Sequence, residues 1–349
     1  MPPIHRLLAC SPAKLRKERD SFTPEAIGWN MGLKSSLQWI GRQGTWAGAA
    51  SLGVGLLIPP LASALKPFFA AAIFLLLVVS FLRVEPAELR SRFSNPLLVT
   101  LASLGIMVAI PVLCGFAMPY TGIGKIEPAV ALGIMMYLAA PPIMSSTAFA
   151  AFLRLDTALT LAVLIVCAAV TPLLSPFVID YFAGGILQLD PMQLVVRLLG
   201  IVVGAFVVAS LIRRYVGNAI IAESTGSIDG ISVLLLILFG ITAMDGVTAR
   251  AIREPLLIAS LTALVFALAI GIYAVTTLIF WREGLKRSLA LGFSSAHRNM
   301  GVMVAAAGSG LPELTWIYFA VAQFPIYLLP ALAAPVVHRL LERRLPGSK

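Results

Sequence analysis

The sequence predicts an all-α integral membrane protein with ten transmembrane helices, arranged as two inverted repeats of five helices. Three observations lead to this fold class. Hydrophobic residues make up 59% of the 349 residues and charged residues only 12%, which is far from the composition of soluble domains. From Gly44 onward, long apolar segments alternate with short charged or Gly/Pro-rich breaks. Finally, the fourth segment of each half is interrupted, and paired interruptions are typical of inverted-repeat transporters.

Ten segments approach the ~20 apolar residues that a membrane-spanning helix needs. The spans are predicted at 44–63, 67–82, 97–118, 128–152, 157–179, 192–212, 229–246, 255–280, 288–309 and 314–337. The first repeat is predicted to cover residues 43–180 and the second 191–340. They are joined by loop 180–191, which contains no Lys or Arg. Residues 1–42 and 341–349 are predicted to be cytoplasmic tails.

The distribution of positive charge predicts the orientation. With the N-terminus inside, 20 Lys and Arg residues are assigned to the cytoplasmic side of the ten spans and five to the other side, leaving Arg298 alone as the buried cation. The positive-inside rule therefore predicts a plasma (inner) membrane protein with both termini cytoplasmic. The net charge of +10 reflects this dispersed asymmetry. Membrane lipid is thus an expected partner, and nucleic acid is not.

The cysteines give no sign of a metal centre or a disulfide framework. Cys10, Cys114 and Cys167 share no ligand-like spacing, and two of them lie in apolar spans. The sequence predicts no metal site and no cofactor.

The first interruption is the stretch "APPIMSST" in the fourth span. Two consecutive prolines, Pro141 and Pro142, remove two amide donors, so the helix must kink or unwind there. Three hydroxyls follow, on Ser145, Ser146 and Thr147. They either cap the freed backbone of a proline kink or face a ligand. Because the other half has an interruption at the corresponding place, we favour the second alternative, a binding site.

The second interruption is "SSAHRNMG" in the ninth span. Arg298 there costs about 2.5–3.5 kcal/mol to insert, so it must face the bundle interior and find acceptors. It is either a structural residue that donates to carbonyls at the helix breaks or the partner of an anionic substrate or of a carboxylate that titrates. His297 is a candidate proton shuttle or a packed neutral side chain. Asn299, Ser294 and Ser295 complete the polar set of this segment.

Two further polar residues are candidates for the site. Thr160, one turn into the fifth span, is predicted to face the first break. Gln323, in the tenth span, is predicted to line a cavity or to serve helix packing. Asp156 is expected to be the N-cap of the fifth span.

Two stretches resemble the bile acid:sodium symporter superfamily. They are "APPIMSSTAFAAFLRLDTALTLAVLIVCAAVTPLLSPFV" at Ala140–Val178 and "AHRNMGVMVAA" around the second break. The resemblance covers the ten-span layout from about 40 to 340. It implies a panel, made of the first two spans of each half, packed against a core in which the fourth and ninth helices unwind and cross. It also implies organic-anion substrates that enter with sodium.

The chain departs from that superfamily at its sodium ligands. The Ser-Asn of the fourth helix is Ser146-Thr147 here, and a second hydroxyl position of the fifth helix aligns with Leu164. On the ninth helix the Glu aligns with Ser294 and the Gln with Arg298, whereas Asn299 is retained. A guanidinium offers no oxygen ligand and repels a cation. We therefore expect Arg298 to supply the positive charge that sodium supplies elsewhere.

The expected function is that of a secondary transporter of a small organic anion that works by alternating access. Transport would be uniport, exchange or proton-coupled. The alternatives are a sodium- or proton-coupled efflux carrier of the same fold and a non-transporting membrane sensor. An enzyme is not expected, because Ser294, Ser295 and His297 lie too close in one segment for a nucleophile and its base, and no acidic partner is near.

Overall fold

The computed structural model describes residues 31–41, 44–83, 95–122, 127–186 and 190–344. This part of the chain is about 89% helical and contains no β-strand. Most of the predicted N-terminal tail and the end of the C-terminal tail lie outside the described residues. So do part of the loop between the repeats and several of the cations counted for the orientation.

Eighteen helices of at least six residues are present in the described residues, together with short 3₁₀ turns and one π turn. In chain order they are α1 Met31–Gly41, α2 Gly44–Leu57, α3 Pro59–Leu65, α4 Phe69–Arg83, α5 Pro96–Leu104, α6 Ile110–Thr121, α7 Pro128–Ala139, α8 Ser146–Phe152, α9 Thr157–Ala183, α10 Pro191–Val216, α11 Asn218–Glu223, α12 Thr225–Ala243, α13 Val247–Arg253, α14 Pro255–Ile279, α15 Leu285–Ala296, α16 Met300–Ala307, α17 Glu313–Val321 and α18 Gln323–Arg344.

Seven helical stretches are long and apolar enough to cross a membrane: Pro59–Arg83, Pro96–Thr121, Thr157–Ala183, Pro191–Val216, Thr225–Arg253, Pro255–Ile279 and Glu313–Glu342. The chain is therefore an all-α, membrane-embedded protein. Three predicted spans, 44–63, 128–152 and 288–309, have no helix of that length among the described residues. Shorter apolar helices occupy them instead, at Trp46–Leu57, Pro128–Ala139 and Met300–Gly310.

The predicted end of the first span is wrong by several residues. The helix stops at Leu57, and the helical stretch that leads into the second span begins at Pro59 rather than after residue 66. The cause is the Pro59-Pro60 pair, because a residue that precedes proline is pushed out of the α conformation. Ile58 accordingly adopts φ −124° and ψ 70°.

Acidic and amide side chains start several of the long helices. Asn95, Asp156 and Asp190 each accept a backbone N–H of the first turn, at 3.1, 2.9 and 3.1 Å. Such an N-cap satisfies one of the donors that a helix start leaves unpaired. The expected cap at Asp156 is confirmed. Proline occupies the first position of α5 and α10, where its missing N–H removes no helical hydrogen bond.

The helices form two packed groups with a buried centre. Helices α1, α2 and α4 each pack on α12, whereas α7 and α8 pack with α9, α15 and α17 in the other group; α10 contacts both groups. Nearly all of α7 is buried. A Cβ added to Gly133 would lie 2.8 Å from the ring of Tyr318, so this glycine lets α7 and α17 approach closely.

Candidate functional site

The two interrupted helices meet at their interruptions. Helix α7 ends at Ala139 and α8 begins at Ser146, while α15 ends at Ala296 and α16 begins at Met300. The Ile143 N–H donates to the His297 carbonyl at 2.9 Å, and the Asn299 N–H donates to the Pro141 carbonyl at 2.7 Å. Each break thus supplies hydrogen-bond partners to backbone groups that the other has removed from a helix.

Arg298 is fully buried at this junction and binds backbone carbonyls. Its Nε donates to the Ser295 carbonyl at 2.5 Å. Its Nη1 donates to the carbonyls of Ile106 and Ala140, each at 3.0 Å. In the described residues no carboxylate forms an ion pair with Arg298, and its Nη2 has no hydrogen-bond partner. The guanidinium therefore joins three backbone segments, and no carboxylate of the described residues offsets its charge.

The Ile106 carbonyl is available because of the π turn Gly105–Ala109. In this turn the Ile110 N–H bonds to the Gly105 carbonyl, five residues back. The next residue is Pro111, which has no N–H, so the Ile106 carbonyl lacks the donor that the π register would give it. Sequence reasoning missed this acceptor. Its only signal is a proline in the middle of the third predicted span.

Other carbonyls at the two helix ends are bound by side chains from neighbouring helices. The Ala139 carbonyl accepts from Ser175 Oγ at 2.6 Å, and the Ala296 carbonyl accepts from the Tyr137 hydroxyl. Both donors are buried. Because no water reaches such groups, these bonds stabilise helix ends that would otherwise be costly inside the bilayer.

A cavity of about 590 Å³ leads to the junction. It lies between α4 and α12 on one side and α8, α9 and α18 on the other. Arg83 and Asp229 line its exposed end, where they form an ion pair at 2.7 Å with both side chains 41% exposed. Arg298 and Asn299 line its buried end. The cavity thus runs from a charged mouth to the junction of the two breaks.

Half of the predicted site residues line this cavity: Ser145, Thr147, Arg298, Asn299 and Gln323. They come from the first break, the second break and the start of α18, so the fold brings together polar residues that are far apart in sequence. Gln323 also donates from Nε2 to the Phe319 carbonyl at 2.9 Å. Among the described residues, no hydrogen bond joins the hydroxyls of Ser145 and Thr147 to the freed carbonyls.

Thr160 and Ser146 lie outside the cavity lining. The Thr160 hydroxyl donates to the Asp156 carbonyl at 2.8 Å, in the first turn of α9. The Ser146 hydroxyl is buried and has no hydrogen-bond partner.

The predicted polar residues of α15 also lie outside the lining. Ser294 donates to the Ala290 carbonyl at 3.0 Å, and Ser295 pairs with the Thr276 hydroxyl at 2.9 Å. Both serines are therefore used in helix packing.

His297 is buried and stacked on Phe293, with ring centroids 4.0 Å apart and planes at 17°. Its Nδ1 lies 3.0 Å from the Phe293 carbonyl. His297 is also outside the cavity lining. This geometry is that of a packed histidine.

Most of the cavity wall is apolar and was not predicted. Its members include Ile73, Leu77, Phe81, Met144, Phe149, Phe239 and Tyr327. Gly301 marks the point where the second break approaches the opposite wall, since a Cβ there would lie 2.7 Å from Ile73 Cδ1 and 3.2 Å from Phe239 Cε2. This glycine, directly after the polar run of the second break, is the sequence signal that could have indicated the contact.

Compared with protein-family models and with curated proteins, the chain has no match. The case for a function therefore rests on the geometry of the two breaks and the cavity.

Proposed function

We propose that the chain is a secondary carrier that moves a small organic anion across the plasma membrane by alternating access, with Arg298 as a built-in cation. The observation that carries this proposal is the position of Arg298. A fully buried guanidinium, bound to three carbonyls and to no carboxylate of the described residues, lies at the closed end of a cavity that opens on one side.

The proposal includes ten spans in two inverted repeats. In support, each of the ten predicted segments overlaps one of the seven long helical stretches or one of the three shorter apolar helices. Two of the short ones are short because α7–α8 and α15–α16 are interrupted. These are the fourth and ninth segments, and the same place in each half is expected for an inverted repeat. The 20 to 5 distribution of cations favours cytoplasmic termini, which directs the Arg83–Asp229 mouth to the cytoplasm.

A bile acid:sodium symporter-like arrangement is supported by how the breaks meet. In that superfamily the two unwound helices cross in a core of six helices, and a panel of four packs against it. The hydrogen bonds between residues 141–143 and 297–299 agree with such a crossing. The cavity walls also agree, since α4 and α12 correspond to panel helices and α8, α9 and α18 to core helices.

The buried end of the cavity suits an anion. Asn299, Ser145 and Thr147 offer side-chain donors, and helix α16 starts at Met300, so the positive end of its dipole lies at the junction. The charge of Arg298 adds to this field in a region of low dielectric. The apolar wall would hold the body of the substrate.

The same arrangement disfavours sodium coupling. A bound sodium ion would need several oxygen ligands, and the carbonyls of Ser295, Ile106 and Ala140 already bind Arg298. The guanidinium would also repel a cation placed beside it. In the proposed carrier, the charge of Arg298 neutralises the anionic substrate in place of sodium.

Uptake into proteoliposomes tests this proposal. Bile acids, pantoate and sulfate esters are first screened for a thermal shift of the purified protein, and each acid that binds is then assayed as a radiolabelled substrate. Uptake is compared with an inward sodium gradient, with choline in its place, and with a proton gradient alone. We expect equal rates in sodium and choline. A steep sodium requirement would overturn the role given to Arg298, and binding without flux would favour a membrane sensor.

A further inference from the structure

A cluster of side chains closes the protein at the ends of α4 and α12 that lie opposite the cavity mouth. The C-terminal end of α4 and the N-terminal part of α12 carry the Arg83–Asp229 pair. The other ends of the same two helices are joined by a second pair, Lys66 Nζ to Asp245 Oδ2 at 2.7 Å. Since α4 alone has 15 residues, roughly 20 Å of helix separates the two pairs.

Lys66 and Asp245 form a fixed seat within one helix group. The Ser63 hydroxyl donates to Asp245 Oδ1 at 2.5 Å. Thr248, just after the α12–α13 turn, donates to the Leu56 carbonyl at 2.6 Å. All of these bonds connect the α2–α4 segment to the end of α12, so they hold parts of a single group together.

Trp316 reaches this seat from the other helix group. Its Nε1 donates to the Asp245 carbonyl at 3.0 Å, and Lys66 Nζ lies 4.6 Å from its ring centroid. The neighbouring residue Thr315 donates to the Ala129 carbonyl at 2.7 Å, which ties α17 to α7. Adjacent residues of α17 therefore bind to different helix groups, Thr315 to its own and Trp316 to the opposite one.

The contacts at this face differ in strength according to whether they lie within one helix group or between the two groups. The Lys66–Asp245 ion pair and the Ser63 hydrogen bond to the Asp245 carboxylate lie within one group. Trp316 connects the groups through one neutral hydrogen bond, one cation–π contact and an edge contact with the Phe69 ring at 5.0 Å. Phe319 also contacts Phe69, and Arg250 of α13 pairs with the exposed Glu313 of α17 at 3.6 Å, a kind of surface ion pair that contributes little. Charge-assisted bonds are the stronger kind, and neutral bonds and exposed cation–π contacts are weaker. A separation of the groups at this face would therefore break the Trp316 contacts and leave the seat intact.

We propose that Trp316 is the releasable gate residue of the closed face, and that Lys66 and Asp245 are the preformed seat in which it closes. This inference rests on the proposed carrier function, because alternating access requires this face to open when the Arg83–Asp229 mouth closes. A releasable contact must be weak enough to break within a transport cycle, and the interactions of Trp316 meet that requirement.

The test uses two reporter cysteines in a background where Cys10, Cys114 and Cys167 are replaced by alanine. Ile317→Cys reports the closed face, because Ile317 is fully buried and lies beside Gly246 of the seat. Met144→Cys reports the cavity, which Met144 lines. The labelling rate of each cysteine by a bulky maleimide is measured on purified protein. Each is combined with Trp316→Leu or, as a matched control, with Trp46→Leu, since Trp46 is 76% exposed and far from the seat in sequence.

Trp316→Leu is expected to raise labelling at residue 317 on the order of tenfold, because it removes the hydrogen bond, the cation–π contact and the Phe69 ring contact of Trp316. The control substitution should leave it unchanged. A simultaneous fall at residue 144 supports the gate together with alternating access. A rise at 317 with no change at 144 supports the gate and counts against the carrier function. No rise at 317 overturns the gate.

A rise at both positions in Trp316→Leu would indicate partial unfolding. In that case Trp316→Phe decides, because it keeps an aromatic ring, although a smaller one, and removes the N–H donor. A smaller rise confined to residue 317 then supports the gate, and an unchanged rate overturns it.

Discussion

The two helix breaks differ in the hydrogen-bonding groups that they supply to their junction. The first, at 140–145, contains Pro141 and Pro142, which remove amide donors and leave carbonyls as its main resource. The second, at 297–299, contains no proline and brings donors, the Arg298 guanidinium and the Asn299 N–H. Two of the three bonds between the breaks run from donors of the second to carbonyls of the first, and the Ile143 N–H to the His297 carbonyl runs the other way. The junction is therefore a complementary pair of breaks, and substitutions in the two should have unequal effects.

Removing the donors of the second break should have the largest effect. Arg298→Met leaves the carbonyls of Ile106, Ala140 and Ser295 without their side-chain donor in a buried site. Each unsatisfied buried group costs about 1–3 kcal/mol, so we expect unfolding at a clearly lower temperature in detergent. Arg298→Lys keeps the charge and three donors and should lose less. A Met variant as stable as the native protein would show that the junction does not depend on Arg298.

The π turn allows a second test of the hydrogen bonds of Arg298, with a smaller expected effect. Pro111→Ala returns a backbone N–H near the Ile106 carbonyl. This carbonyl then has a second donor and depends less on Arg298. In a double-mutant cycle, Arg298→Met should destabilise the Pro111→Ala protein by about 1 kcal/mol less than the native protein. Pro119→Ala in α6 is the control, since Pro119 lies beyond the π turn. Additive effects of Pro111→Ala and Arg298→Met would contradict the assignment of Pro111.

The smallest predicted effect separates the hydroxyls that line the cavity from those used in packing. Ser145→Ala combined with Thr147→Val should weaken binding of an organic acid about threefold to tenfold, as expected for one or two lost neutral hydrogen bonds. Ser294→Ala should leave the dissociation constant unchanged, because that hydroxyl donates to the Ala290 carbonyl. Titration of the best acid from the thermal-shift screen measures both. Equal effects of the two variants would remove Ser145 and Thr147 from the proposed site.

The sequence predicted what depends on local chemistry. Composition and apolar length indicated an all-α membrane protein, and consecutive prolines and a buried Arg marked the two interruptions. A residue's neighbours across the bundle are not encoded locally, so Ser294, Ser295 and His297 were grouped with Arg298 although their polar atoms bond elsewhere. The acceptor on Ile106 was missed for the same reason, since it needs both Pro111 and a π turn on a distant helix.

The order of the acceptors along the chain has a consequence for biosynthesis. Ile106 and Ala140 are synthesised long before Arg298, and the remaining acceptor, Ser295, lies three residues before the arginine at the end of α15. If the C-terminal part of the chain were inserted alone, the Arg298 guanidinium would have only the Ser295 carbonyl to bind. Its insertion would then cost about 2.5–3.5 kcal/mol. In the proposed carrier, the part of the chain up to Ala140 thus acts as an intramolecular assembly template that is already in the bilayer when Arg298 is inserted.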